Sequence, residues 1–387
     1  MKSGKVGLLN IQRCDSHGAV LLAYAMETVL RKYGYEVETI NYKYAGQLIE
    51  KNFIKKIYHK ILLKWKKQFR LVYVGKKIGT KSVKKEYDIQ HMNFKRFRST
   101  YLHLTSEIIS VTDPIINSYD TIIVGSDVVW KPEIVRCIDR EIYFLLSPKK
   151  EIKKIAYAAS IGTDDIDYLQ KYSEYYKGAF DELDFISVRE LSSISFIEKY
   201  TTKKVNHVID PVFLLHPKEY IPLEHSELKE ISERYIYVYA LSDNSQMIRL
   251  ADDFAKRNGL FIIVDMNGGF ENIKIFTQPF ESVISAGPAE FLYNIRHASY
   301  VFTDSFHATA FSLLFNIPFW VFKRGNISVR MTDLLEMFFL DNRFVTNIID
   351  NGDINWDQVN KIIEKKREEG LTFLYSALVK KKTEDND

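Results

Sequence analysis

Residues 6–42 read VGLLNIQRCDSHGAVLLAYAMETVLRKYGYEVETINY, and their pattern decides the fold. Val6 to Ile11 is an apolar run of strand length, Asp15 to Gly18 is loop chemistry, and from Leu21 to Lys32 apolar residues recur at helical spacing. Gly34 then closes the helix, and Glu36 to Tyr42 reads as a second strand. The result is a β-α-β unit whose first loop leaves the carboxyl end of a strand, where open α/β sheets take their ligands. On that ground Asp15, Ser16, His17 and Gly18 are candidates for function. Gly18 lets a ligand approach the backbone closely, whereas a histidine in His17's place is also commonly just solvated.

The same alternation continues along the chain. Tyr119 to Val124 is a strand leading into GSDVVW, Lys154 to Ser160 ends another before Gly162, and Phe185 to Val188 runs into Arg189 and Glu190. A second set follows: a strand at Tyr235 to Leu241, a helix at Met247 to Asn258, a strand at Leu260 to Val264, and a helix at Ala289 to Ala298. The strand Tyr300 to Thr303 then enters DSFHATAF, and Phe319 to Phe322 is a further strand. Strands that alternate with helices imply parallel sheet, so the fold class is α/β.

With 387 residues the chain exceeds what one core usually organises, and two domains are expected. Pro211, Pro217 and Pro222 mark the join between Asp210 and Arg234. This gives an N-terminal domain over 1–215, a C-terminal domain over 216–355, and a C-terminal helix with a charged tail over 356–387. The final KKKTEDND is too polar to order itself.

One segment departs from the pattern. Across 51–85, lysines and arginines interleave with Ile54, Ile57, Ile61, Leu62, Trp65, Phe69 and Leu71 at near-helical spacing, which reads as a basic amphipathic helix inserted in the first domain. Two uses are open to it: a peripheral contact with an anionic bilayer, or a helical excursion packed on its own domain.

Composition narrows the function classes. The 54 basic residues nearly balance the 50 acidic ones, and a net charge of +4 gives no general reason to expect a nucleic-acid partner. Cys14 and Cys137, without a CxxC or Cys/His cluster, make neither a disulfide framework nor a zinc site, which fits a reducing, cytoplasmic setting. The N-terminus shows no signal-peptide h-region, and no run approaches the length of a membrane span. No phosphate loop, HExxH or nucleophile elbow is present, and no metal is expected.

Six segments in order, DSHGAVLLAYAMETVLRKYGYEVETINY, YDTIIVGSDVVWKPE, KIAYAASIG, FISVRE, VIDPVFLL and FTDSFHATAFSLLFNIPF, make the chain resemble the polysaccharide pyruvyltransferase family over about residues 5–345. The resemblance implies two Rossmann-like domains facing a cleft, in a glycosyltransferase-B-like arrangement. It implies phosphoenolpyruvate as donor substrate, with no separate cofactor, and a glycan acceptor of surface or capsular polysaccharide, free or lipid-linked. The alternative in the same architecture is a glycosyltransferase with a nucleotide-sugar donor. The sequence departs from the family where many relatives have Asn for His17, Gln and Asn for Val128 and Lys131, and, in several branches, Arg for Ser305.

The chemistry assigns candidates. Phosphoenolpyruvate carries phosphate and carboxylate on one carbon and calls for fixed cations or N–H donors, with arginine favoured by its fork. Arg189 is the first candidate, against the alternative of an ion pair with Glu190. Lys323, Arg324 and Arg330, flanking Gly325, are further cations that could replace the arginine missing at Ser305. Ketal formation needs a proton donor and a hydroxyl base. His307, after an apolar strand and at the start of a small-residue helix, is the candidate acid or phosphate contact, with Ser305 and Phe306 beside it. Asp127 is the candidate base or sugar-hydroxyl acceptor, against the alternative of a helix cap, and Trp130 reads as core.

Overall fold

Short β-branched and aromatic runs, each followed by a helix, build two parallel sheets. The computed structural model describes residues 4–43, 70–74, 77–81, 83–110, 112–135, 139–146, 149, 151–224, 234–266, 275–324, 329–345 and 352–380. The principal elements of the first half are β1 (Lys5–Leu9), α1 (His17–Lys32), β2 (Glu36–Thr39), β3 (Arg70–Val74), β4 (Lys77–Lys81), α2 (Val83–Tyr101), β5 (Thr121–Val124), β6 (Lys153–Ala159), β7 (Phe185–Val188) and β8 (Val205–His207). Those of the second half are β9 (Tyr235–Ala240), α3 (Ser245–Asn258), β10 (Phe261–Met266), β11 (Phe280–Ser282), α4 (Pro288–Arg296), β12 (Tyr300–Thr303), α5 (Phe306–Phe315), β13 (Phe319–Phe322), α6 (Val329–Met337), β14 (Phe344–Val345) and α7 (Trp356–Val379).

The chain divides into two compact units, one of residues 1–51, 98–215 and 362–387, the other of 52–97 and 216–361. The described residues 70–74, 77–81 and 83–97, placed in the first domain on sequence grounds, are grouped with the second unit, and α7 is divided between the two groups. Local patterning marks elements but carries no information about which distant element each one packs on.

In the first unit the strand order is β2-β1-β5-β6-β7-β8, all parallel, with Leu8 opposite Ile123 and Ile155 opposite Phe185. The chain turns to opposite sides of β1 on its way to β2 and to β5, so the switch point lies at the carboxyl ends of β1 and β5. Trp130 is core, as its apolar setting suggested. It is 0% exposed, stacks on Phe144 at 5.5 Å and donates its indole N–H to the Tyr143 carbonyl at 3.1 Å. The C-terminal helix closes this unit: the buried Arg367 donates from Nε to the Phe213 carbonyl at 2.7 Å and from a terminal nitrogen to that of Leu215 at 3.2 Å.

In the second unit the order is β11-β10-β9-β12-β13-β14, again all parallel. Its switch point lies between β9 and β12. The core gathers Phe254, Phe302 and Trp320, with ring centroids 4.9 Å apart from Trp320 to each phenylalanine.

Residues 70–81 correct the expectation of a continuous basic helix over 51–85. β3 and β4 are an antiparallel pair, Arg70 opposite Lys81 and Val74 opposite Lys77. The run LVYV is as good a strand as it is a helix face, and β-branched residues tipped the choice. The rest of that expectation, 51–69, lies outside the described residues, as do Cys137, Gly325 and residues 381–387 of the tail. Among the described residues no helix is long and apolar enough to cross a membrane.

Candidate functional site

The candidates divide between the units: His17, Gly18, Asp127 and Arg189 belong to the first, and Ser305, Phe306, His307, Lys323 and Arg330 to the second.

In the first unit α1 begins at His17, four residues before its expected start at Leu21, so His17 and Gly18 form its first turn and not a solvated loop. His17 is 1% exposed. The preceding loop is held from outside by Arg98, which donates to the Gln12 carbonyl at 3.3 Å and pairs with Asp15 at 2.9 Å.

The loop after β5 is tightly fixed. Gly125 has φ 120, and a Cβ there would lie 2.2 Å from the Tyr157 carbonyl oxygen, so only glycine fits. Two residues on, Asp127 has φ 62, its Oδ1 accepts from the Val128 N–H at 2.9 Å, and its carbonyl accepts from Ser160 N–H at 3.0 Å. The carboxylate thus orders its own turn at the switch point.

Arg189 is buried within ion pairs and does not stand open toward solvent. Its Nε meets Glu190 Oε1 at 3.0 Å, one terminal nitrogen meets Asp210 Oδ2 at 2.9 Å, and its side chain is 3% exposed. Burial works against the charge, but the carboxylates of Glu190, Asp210 and Asp127 outweigh it and the pKa is raised. The carboxylates are themselves shared, since Ser126 Oγ donates to Asp210 at 3.1 Å and Ser160 Oγ to Glu190 at 2.8 Å. Asp210, which reads from sequence as a turn residue beside Pro211, also accepts from Val212 N–H at 3.0 Å. A residue spanning both roles cannot be told from a plain Asp-Pro turn without its partner, 21 residues away.

In the second unit Thr303, Asp304 and Ser305 carry the chain from β12 into α5. Thr303 Oγ1 donates to the Tyr239 carbonyl at 2.7 Å and accepts from Ser305 N–H at 3.0 Å. Ser305 is the N-cap of α5: its Oγ accepts from Ala308 N–H at 3.4 Å, and its carbonyl accepts from Thr309 Oγ1 at 3.0 Å. His307 and Phe306 occupy the first turn, each 8% exposed, with rings edge-on at 5.3 Å. No acidic residue lies in that turn, and the acidic residue next to it in sequence is Asp304, just before the cap.

Sequence reading passed over Asp304, though it lies within the motif. Its carboxylate accepts from Leu241 N–H at 2.7 Å and from Ser242 Oγ. Burial pushes its pKa up, against the hydrogen bonds from Leu241 and Ser242 and the nearby charge of Arg324. Lys323 is exposed, Arg324 half-buried, and Arg330 sits partly exposed in the first turn of α6. Asn244, also passed over, caps α3 and donates to the Lys323 carbonyl at 3.2 Å. Its signal was present in SDNS after an apolar run, which is N-cap chemistry.

Among the described residues no group of His, Cys, Asp and Glu side chains could hold a metal ion. The family model of the polysaccharide pyruvyl transferases matches residues 17–326. The chain belongs to that family. A search of curated proteins found no match. Among solved structures it is similar to a Listeria monocytogenes protein described as a UDP-N-acetylglucosamine 2-epimerase, at 9% identity and TM-score 0.51, covering 100% of this chain and 93% of that one. It is also similar to a Neisseria meningitidis UDP-GlcNAc 2-epimerase bound to UDP-GlcNAc, at 9% identity and TM-score 0.50, covering 97% and 100%. At such identity the likeness concerns the fold alone. Within this pyruvyl transferase, then, Ser305 caps a helix, and Lys323 and Arg324 follow the neighbouring strand β13.

Proposed function

We propose that this pyruvyl transferase uses phosphoenolpyruvate as donor and joins its pyruvyl group, as a cyclic ketal, to two hydroxyls of a sugar. The acceptor is a surface or capsular polysaccharide or its lipid-linked precursor. The observation that carries the reading is the family match across residues 17–326.

The edge of the second sheet supports an anionic donor. The N-terminus of α5 offers N–H groups and positive potential, His307 stands in its first turn, and Lys323 and Arg324 follow the neighbouring strand. In this reading they bind the phosphate and carboxylate, with Arg330 as a further cation, and Ser305 and Phe306 shape the turn. His307 protonates the methylene carbon, which becomes the methyl group. The two acceptor oxygens form bonds to C2, the bond from C2 to the phosphate oxygen breaks, and inorganic phosphate leaves. Of the two hydroxyl protons released, one replaces that given by His307 and the other leaves with phosphate. In the first unit Asp127 is proposed to accept a hydrogen bond from a sugar hydroxyl, with His17 and Gly18 as further contacts. Arg189, sheathed by Glu190 and Asp210, is assigned to holding that edge together and not to the donor.

Calorimetric titration tests this. Phosphoenolpyruvate should bind the wild type and bind His307→Ala at least roughly tenfold more weakly, the usual scale for losing a hydrogen bond to a charged group. Binding of UDP-GlcNAc with none of phosphoenolpyruvate would move the assignment to nucleotide-sugar glycosyl transfer.

A further inference from the structure

Three loops at the carboxyl edge of the second sheet are tied in series. β12 lies between β9 and β13, so the turns that follow these strands are neighbours. From the β12 turn, Asp304 takes the Leu241 N–H at 2.7 Å and the Ser242 hydroxyl, fixing the start of the β9 turn. Two residues further, the Asn244 carboxamide divides its function. Its Oδ1 accepts from Met247 N–H at 3.0 Å and caps α3, while its Nδ2 donates to the Lys323 carbonyl at 3.2 Å. Lys323 is the first residue after β13, and Arg324 beside it is near enough for its charge to act on Asp304.

We infer that Asn244, with Asp304 behind it, is a positioning residue that sets the backbone of the cationic pair Lys323–Arg324 relative to the N-terminus of α5. The physical argument is one of reach and entropy. Lysine and arginine side chains lose considerable rotamer freedom when they engage a ligand, and a wandering backbone would add to that cost. A hydrogen bond to the Lys323 carbonyl from the residue that caps α3 removes part of that backbone's freedom beforehand. Asn suits both tasks because its amide carries an acceptor and donors on one rigid group, whereas Ser and Asp cap about equally well but offer no N–H. The inference rests on the reading that phosphoenolpyruvate binds at this edge.

The variant Asn244→Ser separates the two tasks, keeping the cap and deleting the amide donor. Two measurements follow, both against wild type. In the protein without ligand, hydrogen exchange at the amides of Lys323 and Arg324 should quicken by roughly tenfold while the first turn of α3 stays as slow as before. Unchanged exchange at Lys323 and Arg324 overturns the inference whatever the protein binds. In titrations with phosphoenolpyruvate, the dissociation constant should rise about tenfold and its dependence on salt should flatten, because the displaced cations contribute less. The melting temperature should stay within about 2 °C, as Ser caps about as well as Asn. Wild-type affinity and salt dependence in the variant would overturn the inference. A wild type that binds no phosphoenolpyruvate would count against the donor assignment, leaving the exchange result to judge the positioning role.

Discussion

At the scale of single residues, Arg189 carries the sharpest consequence. Its guanidinium is enclosed by Glu190 and Asp210, each contact within 3.0 Å and all three residues nearly inaccessible. Coulomb attraction is strong in such surroundings, yet desolvation costs nearly as much, so the pair as a whole contributes little net stability. Removing one member is different, because it strands the other charges. Arg189→Met, which keeps the volume, should therefore lower the unfolding free energy by about 3–5 kcal/mol, measured by urea denaturation at neutral pH. A loss below about 1 kcal/mol would mean the guanidinium is not holding the carboxylates and would restore it as a candidate for substrate. The dipeptide Arg-Glu was visible in the sequence, but not whether solvent or Asp210 completes it, and that distinction separates a binding arginine from a structural one.

At the scale of elements, α7 shows how packing overrides propensity. Gly370 lies in the middle of this 24-residue helix, where glycine costs about 1 kcal/mol relative to alanine. The reason it is there is contact: a Cβ would come 2.6 Å from the Tyr157 hydroxyl and 3.1 Å from Leu214 Cδ2. Tyr157 is wholly buried and donates to the Ile209 carbonyl at 3.3 Å, so it has little room to yield. Overpacking of this kind costs about 1–3 kcal/mol, enough to exceed the helix gain. Gly370→Ala should accordingly destabilise the protein by about 1 kcal/mol, and a stabilised variant in thermal unfolding would show that the helix shifts outward at no cost. The C-terminal helix was legible in the sequence, where it was read over 356–387, and it spans Trp356–Val379. The antiparallel pair of β3 and β4 was not: LVYV, between Arg70 and Gly75, satisfies both a helix face and a strand, and its pairing with residues 77–81 is a matter of partners and not of local pattern.

At the scale of the whole molecule, alternating strands and helices gave the α/β class and the two sheets directly, because each strand run was short, apolar and followed by helix-period residues. The composition of the units was not accessible that way. The described residues between 70 and 97 join the second unit and 362–380 the first, through contacts between segments far apart in sequence. The same holds for the candidate residues, which the motif order identified but could not sort by burial and ion pairing. That sorting yields a prediction about where the donor acts. If the anionic donor is held by α5, Lys323 and Arg324, its binding protects from hydrogen exchange only those segments whose opening it must oppose. Adding saturating phosphoenolpyruvate should slow exchange at the amides of 241–244, 304–309 and 322–324, all within the second unit. Segments 10–18 and 125–131, which carry Asp127 and the start of α1 in the first unit, should change by less than about twofold. Protection concentrated at 125–131 and 187–190 instead would place the donor on the Arg189 edge, where three carboxylates already surround the one guanidinium, and would require that an arriving anion displace at least one of them.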